Sequence, residues 1–406
     1  EVHQKMRVGL SMSTAWHRQV ESTIAIYLNH RDAREITPIS SIGIEEVAQL
    51  NYGLRAKVRG RFFDDKLSAV VGMETMSEKY DVNNFEFNES ANGGLMSGVG
   101  QNRSYSNVFI SSKYVLPSRW SLALGANLNW SRFEISDRFP QIVDPQRTRT
   151  FKPQWSPKFS ISRLWDNSMV YASISQGFSL PSFEETLSPP REVKSTFVPE
   201  TGWNYELGVK GVAKWGLNYQ LAIYAMQVEN LSVARQDSEG SVFYINAGST
   251  SHQGLEMQLS QLLVDKERWS ITHQLSAALM RYRFDTFVDD QGGDFSSNDL
   301  TGVPDHTFNY VVKGALMVGW FAQIHCVSVG GMPLNDANTE RVDGYRLTHL
   351  KAGFDHTYGR FALRVSLGVN NAFDQQYASM VSVNARGFGG NLPRYYYPGL
   401  PRNFEA

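Results

Sequence analysis

The chain has 406 residues, with 39 Lys and Arg against 40 Asp and Glu and a formal net charge of −1. That balance gives no basic field of the kind a dedicated nucleic-acid binder carries, and 42% hydrophobic content excludes wholesale disorder. One cysteine, Cys326, excludes an intrachain disulfide framework and an all-cysteine metal site. No run of about 18 apolar residues marks a transmembrane helix, although barrel strands of roughly 10 residues carry only a weak alternating signal.

The opening, residues 1–17, reads as a strand. It has no initiator Met, no basic n-region and no apolar h-region, so a fragment or a mature segment missing its start is expected. Period-two alternation follows and recurs. Ala48, Leu50, Tyr52, Leu54, Ala56 and Val58 alternate with Gln49, Asn51, Gly53, Arg55, Lys57 and Arg59. Trp120, Leu122, Leu124, Ala126, Leu128 and Trp130 alternate with Ser121, Ala123, Gly125, Asn127, Asn129 and Ser131. Trp215–Tyr224 and Phe361–Asn370 repeat the split. Successive strand residues point to opposite faces, so each of these strands has one apolar and one small or polar face.

Short turns are expected near Asp64-Asp65, Pro117-Ser118, Asp166-Asn167, Lys214, Asp265-Lys266, Gly319 and Gly359, spaced 40 to 54 residues apart. Long polar segments alternate with them near 30–45, 81–103, 136–149, 178–200, 286–303, 332–343 and 378–394, with a shorter one near 234–241. Each period therefore holds two strands and one long loop. Trp120, Trp215, Trp269, Trp320 and Phe361 closely follow short turns and open the apolar face. Amphipathic rings in such a row suit a membrane–water boundary. The pattern predicts an all-β, antiparallel transmembrane β-barrel with about 17 strands in this chain. The competing arrangement is a large soluble β-sandwich or propeller, which would not need strands this long or loops so strictly divided. Because an open edge in lipid leaves backbone groups unsatisfied, further strands are expected at one or both ends.

The nine histidines are dispersed, with no metal-ligand spacing; His349 and His356, seven apart on one strand, are expected on opposite faces. No catalytic site is expected: there is no G-x-S-x-G and no nucleophile–base spacing.

Five local sequences carry a resemblance. They are YASISQGFSLPSFEE (171–185), VPETGWNYELGVKG (198–211), YINAGSTSHQGLEMQL (244–259), LGVNNAFDQQYA (367–378) and RYYYPGLPRNF (394–404). In this order they resemble motifs of TonB-dependent outer-membrane receptors, of the siderophore type. The residues that carry the match are Gly177, Phe178, Pro181, Glu200, Tyr205, Glu206, Gly208, Asn246, Gly248, Gly254, Glu256, Asn371, Phe373, Asp374 and Tyr377. Residues 1–170 agree through hairpin architecture alone.

The resemblance implies a parent barrel of 22 strands around an N-terminal plug. By it, residues 1–406 are a partial barrel domain in which the plug, the plug's contact with TonB and the first strands are missing and the last strand is incomplete. It implies active import of a ferric siderophore complex across the outer membrane of a Gram-negative bacterium, driven by the TonB inner-membrane complex. The other solutes it allows are cobalamin, haem or an oligosaccharide; a passive porin-like channel is a further alternative. The implied partners are TonB through the plug, outer-membrane lipid and lipopolysaccharide, and a small metal chelate, with no nucleic acid. No covalent cofactor and no resident metal are expected; the ferric chelate is cargo. Ligands of this family dock against the long outer loops, which directs attention to Phe85, Phe87, Arg103, Arg386, Phe388 and Arg394. Aromatic faces with Arg would suit an anionic ferric complex.

From the residues themselves, most motif positions read as barrel architecture. Glu206 and Lys210 share a face and could pair inside the barrel or contact a plug. Glu256 and Gln258 are expected on the lumen face, opposite Leu255, Met257 and Leu259. Asp374 can cap backbone donors, and Phe373 and Tyr377 can anchor at the outer interface.

Overall fold

The computed structural model describes residues 2–36, 43–88, 91–137, 146–182, 187–188, 192–193, 198–236, 242–289, 292–385, 387 and 390–406. They form strands joined by turns and loops, with a single 3-10 turn at Pro117–Arg119. The chain divides into two units, residues 1–159 and 160–406.

The first unit is an antiparallel meander. Its strands are β1 (Val2–His17), β2 (Val20–Ile36), β3 (Ile44–Phe62), β4 (Leu67–Asn88), β5 (Ala91–Val115), β6 (Trp120–Asp137) and β7 (Gln146–Thr150), each paired with the next. β8 (Gln154–Leu164) leads into the second unit.

The second unit continues with β9 (Ser168–Ser179), the short pair β10 (Leu187–Ser188) and β11 (Glu192–Val193), and then β12 (Glu200–Val212), β13 (Asn218–Gln236), β14 (Val242–Lys266), β15 (Trp269–Thr286), β16 (His306–Leu316) and β17 (Trp320–Val329). A second short pair, β18 (Met332–Pro333) and β19 (Arg341–Val342), precedes β20 (Tyr345–Tyr358) and β21 (Phe361–Asn370). β22 (Ala378–Val381) pairs β23 (Tyr396–Pro398), and β24 (Asn403–Glu405) pairs back onto β21. The long strands pair in the order β9–β12–β13–β14–β15–β16–β17–β20–β21.

Sixteen of the described strands have ten residues or more, and the short strands β7 and β24 add two more to their ladders, pairing onto β6 and β21. The expected short turns fall at 63–66, 117–119, 165–167, 213–217, 267–268, 317–319 and 359–360. One further turn, Arg18-Gln19, closes the β1–β2 hairpin. It contains none of the Gly, Pro, Asn or Asp that usually mark a tight turn.

In their described residues, the segments expected as loops at 30–45 and 81–103 are instead largely strand. β2 runs to Ile36, β4 to Asn88, and β5 starts at Ala91. There the ladder outruns the apolar stripe: Lys79 pairs Asn102, and Asp81 pairs Gly100. Once both faces are polar, side-chain alternation fades while the backbone hydrogen bonds continue, so composition marks a loop where geometry makes a strand.

One face of each long strand is apolar and uncovered. Leu10 is 69% exposed, Leu124 58%, Ile223 53% and Leu367 68%. Leu124, Ala126 and Leu128 sit opposite Ser112, Ile110 and Val108 on β5, so the apolar stripe runs from strand to strand. Exposed aliphatic area on this scale is untenable in water and calls for lipid. Trp16, Trp215, Trp269, Trp320 and Phe361 stand exposed beside short turns on the same stripe. The buried apolar cluster, Val233, Phe284, Phe287 and Leu300, lies instead against the long loop after β15.

Candidate functional site

The opposite face of each strand is polar and internally bonded. In the first unit Glu74 accepts hydrogen bonds from Arg55 Nη2 (2.7 Å) and Tyr27 Oη (3.4 Å). Glu78, 6% exposed, accepts from Gln49 Nε2 (2.6 Å) and pairs with Arg103.

In the second unit the Tyr171 hydroxyl donates to Glu206 Oε1 at 2.6 Å, and the Tyr224 and Tyr282 hydroxyls meet at 2.6 Å. These phenols reach their partners because their rings lie flat over glycines on the next strand. Tyr171 is opposite Gly208 and Tyr224 is opposite Gly254. At both glycines an added Cβ would clash with the phenol end of the tyrosine. The first unit repeats the device with Tyr27 over Gly53. Close approach of a neighbouring ring is what requires glycine within these strands. Gly208→Ala should therefore push Tyr171 off Glu206 and cost about 1–3 kcal/mol. In a Tyr171→Ala background the same change should cost far less, a coupling measurable by a double-mutant cycle in urea.

The other motif residues also build the wall. Gly177 and Phe178 face Gly202 and Thr201 across β9–β12, and Pro181 is buried just beyond. Glu200 Oε1 accepts from Ser232 N at 2.6 Å. Tyr205 lies on the apolar stripe beside Ala225. The Asn246 amide holds the backbone of Val198 in both directions (2.9 and 3.1 Å) and also donates to Asn230 O (2.7 Å). Gly248 lies against the Thr286 backbone, at the bulge where the β14–β15 register shifts. Glu256 sits between Ala222 and Ala278 on the polar face, with Leu255, Met257 and Leu259 opposite, as expected. Glu206 and Lys210 share the polar face but form no ion pair among the described residues.

Buried Asn371 turns the chain after β21. It accepts from Gln375 N (2.9 Å) and donates to Gln375 O (2.9 Å) and Leu400 O (3.2 Å). Asp374 Oδ1 caps Arg402 N at 2.7 Å, Tyr377 packs over Gly399, and Phe373 is exposed.

The long-loop end of the second unit is organised around Asp336, a residue that sequence reasoning did not single out. Asp336 is 2% exposed. Its carboxylate accepts from Thr301 Oγ1 and from Asn384 Nδ2 (3.3 Å). Its backbone carbonyl accepts from Asn298 Nδ2 (2.7 Å), and its N–H donates to Asn384 Oδ1 (3.1 Å). Asn338 bonds the Asp299 backbone in both directions at 2.9 Å. Segments 298–301, 334–338 and 384 are thereby tied into one platform. Beside it stand Arg283 and Arg341, both paired with Asp299 (3.2 and 3.6 Å). Tyr345 opens β20, with its ring 4.9 Å from that of Tyr377. Tyr395 lies in the same loop region, where burial pushes its phenol up. The only local sequence signal is the Asn335–Asn338 stretch, an Asx-turn composition.

Of the six loop candidates, Phe85, Phe87 and Arg103 lie on strands of the first unit. Phe85 is half-buried on β4 opposite Ile44. Phe87 lies opposite Asn92, and its side chain is outside the described residues. Arg103 is on β5, pairs with Glu78 and lies 5.6 Å over the Phe133 ring. Arg386 and Phe388 lie outside the described residues, and Arg394 is exposed before β23. Among the described residues no group of three or more His, Cys, Asp or Glu is placed to hold a metal ion. His349 and His356 fall on opposite faces, and His349 stacks on His325 with ring centroids 5.4 Å apart.

A meander of long strands with an uncovered apolar stripe, an aromatic row at the short turns and a hydrogen-bonded polar face defines an outer-membrane barrel protein. The family model described as "TonB dependent receptor-like, beta-barrel" matches residues 11–372, and the chain belongs to that family. The family is one of Gram-negative outer-membrane transport receptors, not of enzymes. The chain is 25% identical over 336 residues to the ferric-pyoverdine M114 receptor PbuA of Pseudomonas sp. (strain M114), covering 78% of this chain and 37% of that protein. Its fold is similar to the ferric yersiniabactin uptake receptor FyuA from Yersinia pestis (TM-score 0.70, 16% identity, 98% of this chain and 60% of that one). It is also similar to the ferric citrate transporter FecA (TM-score 0.77, 15% identity, 99% and 60%). The chain thus spans less than two thirds of the length of each.

Proposed function

We propose that the full-length protein imports a ferric siderophore complex across the outer membrane with energy from the TonB system, and that this chain supplies most of its barrel. The observation that carries the proposal is the 25% identity to a ferric-pyoverdine receptor over 78% of the chain. The chemistry of the loop end is compatible with it. Arg283, Arg341, Tyr345, Tyr377 and Tyr395 offer guanidinium and phenol donors to an anionic, oxygen-rich complex. In this reading Phe85, Phe87, Arg386, Phe388 and Arg394 add contacts from neighbouring segments, and Arg103 joins only if it is released from Glu78. The ferric ion is cargo held by its own chelator. The TonB complex and the surrounding lipid and lipopolysaccharide are the partners the proposal requires.

The test is uptake of radiolabelled iron by cells carrying the full-length protein, with a panel of siderophores and with or without working TonB. TonB-dependent uptake of one chelate is expected. No uptake of any chelate, with the protein confirmed in the membrane, overturns the siderophore assignment and brings cobalamin, haem and oligosaccharides forward. Uptake independent of TonB points to a passive channel.

A further inference from the structure

The lipid-facing surface of the second unit changes in an ordered way just above its apolar stripe. Leu207, Ile223, Leu255 and Leu279 stand opposite one another on β12, β13, β14 and β15 and close the stripe with an aliphatic row. The next residues on the same face form two further rows. One runs Tyr205, Ala225, Gln253, Arg281, and the other Trp203, Gln227, Ser251, Arg283. Two aromatics hold one end of this band and two arginines the other, with amides and a hydroxyl between. All but Ser251 and Arg283 are exposed.

At the arginine end Ser251, Gln253, Arg281, Arg283, Asp285 and Ser297 line a cavity of about 350 Å³. Arg283 is engaged there by Asp299 at 3.2 Å. Arg281 has no ion pair or side-chain hydrogen bond among the described residues. The carboxylates lie beyond it, Asp285 further along β15 and Asp299 beside Arg283, so Arg281 is the charge nearest the aliphatic row.

We infer that this band holds the phosphorylated sugar headgroup of an outer-leaflet glycolipid, lipopolysaccharide, with a phosphate on Arg281. The inference rests on the chain's place in the outer membrane and not on the solute it carries. At ordinary strand rise and tilt, Arg281 stands about 30 Å above Trp269 at the turn end of β15, just past an apolar band about 25 Å tall. That is the depth of lipid phosphates. A guanidinium there with no protein partner is free to make the two parallel N–H···O bonds of an arginine–phosphate pair. Tyr205 lies nearer the turn end of its own strand than Arg281 does, so the rings sit lower, where amphipathic aromatics favour the interface. At the ordinary strand spacing the band is about 15 Å wide, more than one phosphate fills. Gln227, Gln253 and Ser251 offer neutral donors and acceptors to a hydroxyl-rich ring beside that phosphate. The acyl chains of the same molecule continue onto Leu207, Ile223, Leu255 and Leu279 below.

The test uses the purified full-length protein in phosphatidylcholine nanodiscs, with Cys326→Ser and with an environment-sensitive fluorophore on Glu229→Cys. Glu229 is exposed one row above the band, opposite Ser249. Rough-type lipopolysaccharide is the probe, beside its dephosphorylated form, phosphatidylglycerol and inorganic phosphate. A saturable response to the phosphorylated glycolipid is expected, several-fold weaker for the two control lipids and absent for inorganic phosphate. It should weaken about tenfold in Arg281→Gln and less in Arg281→Lys, which keeps the charge but not the fork. Unchanged heat-modifiable migration shows that each variant still folds. No saturable response, an equal response in Arg281→Gln, or an equal response to either control lipid overturns the inference. A response to inorganic phosphate also overturns it, because the band then reads a free anion. Iron uptake has no part in the measurement, so failure of the siderophore assignment leaves its result standing.

Discussion

Arginine at Leu124 or at Leu221 should destabilise the folded protein in lipid by about 2–4 kcal/mol. Leu124 is 58% exposed on the apolar stripe of β6, and Leu221 lies between Val209 and Met257 on that of β13. A guanidinium at either position must shed its hydration or thin the bilayer around it. Arginine at Asn127 or Gln220, on the polar faces of the same strands, should change stability little, because the lumen hydrates it. Urea titration of the lipid-reconstituted full-length protein, read by heat-modifiable migration, separates the two sets. Equal tolerance at all four positions would mean that the exposed stripe does not meet lipid.

The second large effect is expected at Asp336. Asp336→Ala removes the acceptor shared by Thr301 and Asn384 and leaves the Thr301 hydroxyl and the Asn384 amide nitrogen without it. A lost hydrogen bond to a charged group costs about 1.5–3 kcal/mol, so the platform should open while the strands hold. The readout is limited trypsin digestion, with Arg341, exposed on the same platform, as the reporting site. Cleavage there should rise by an order of magnitude or more, with no change in heat-modifiable migration. If the proposed ligand docks on this platform, its affinity should fall in the same variant. Asp336→Asn keeps an oxygen acceptor for Thr301 and should recover most of the protection.

The strands and their faces were legible because lipid on one side and water on the other impose period-two alternation, which Trp120–Ser131 displays without a break. The turns at Asp64-Asp65 and Gly359 are legible through their residue types, whereas Arg18-Gln19 has no such mark. The upper parts of β2, β4 and β5 were hidden for a different reason: above the apolar stripe a paired strand and a loop share one composition. The motif residues read as architecture do bond to neighbouring strands and turns, as at Glu206, Asn246, Asn371 and Asp374. The Asp336 platform was not legible. Its partners Thr301 and Asn384 are 35 and 48 residues away, and nothing local to any of them announces that they converge.

The tyrosines lying over glycines also bear on how neighbouring strands find their alignment during insertion. Sliding β9 along β12 by two residues would keep every apolar side chain facing lipid, so hydrophobicity alone does not reject it. It would, however, set the Tyr171 ring against Glu206 or Lys210 instead of Gly208. The same slip between β13 and β14 would drive Tyr224 onto His252 or Glu256. Each ring fits only the notch opposite it. A sheet whose strands are otherwise free to shift in even steps thus carries keys spaced around its inner surface, and an assembly one step out of line is refused by shape before any solute arrives.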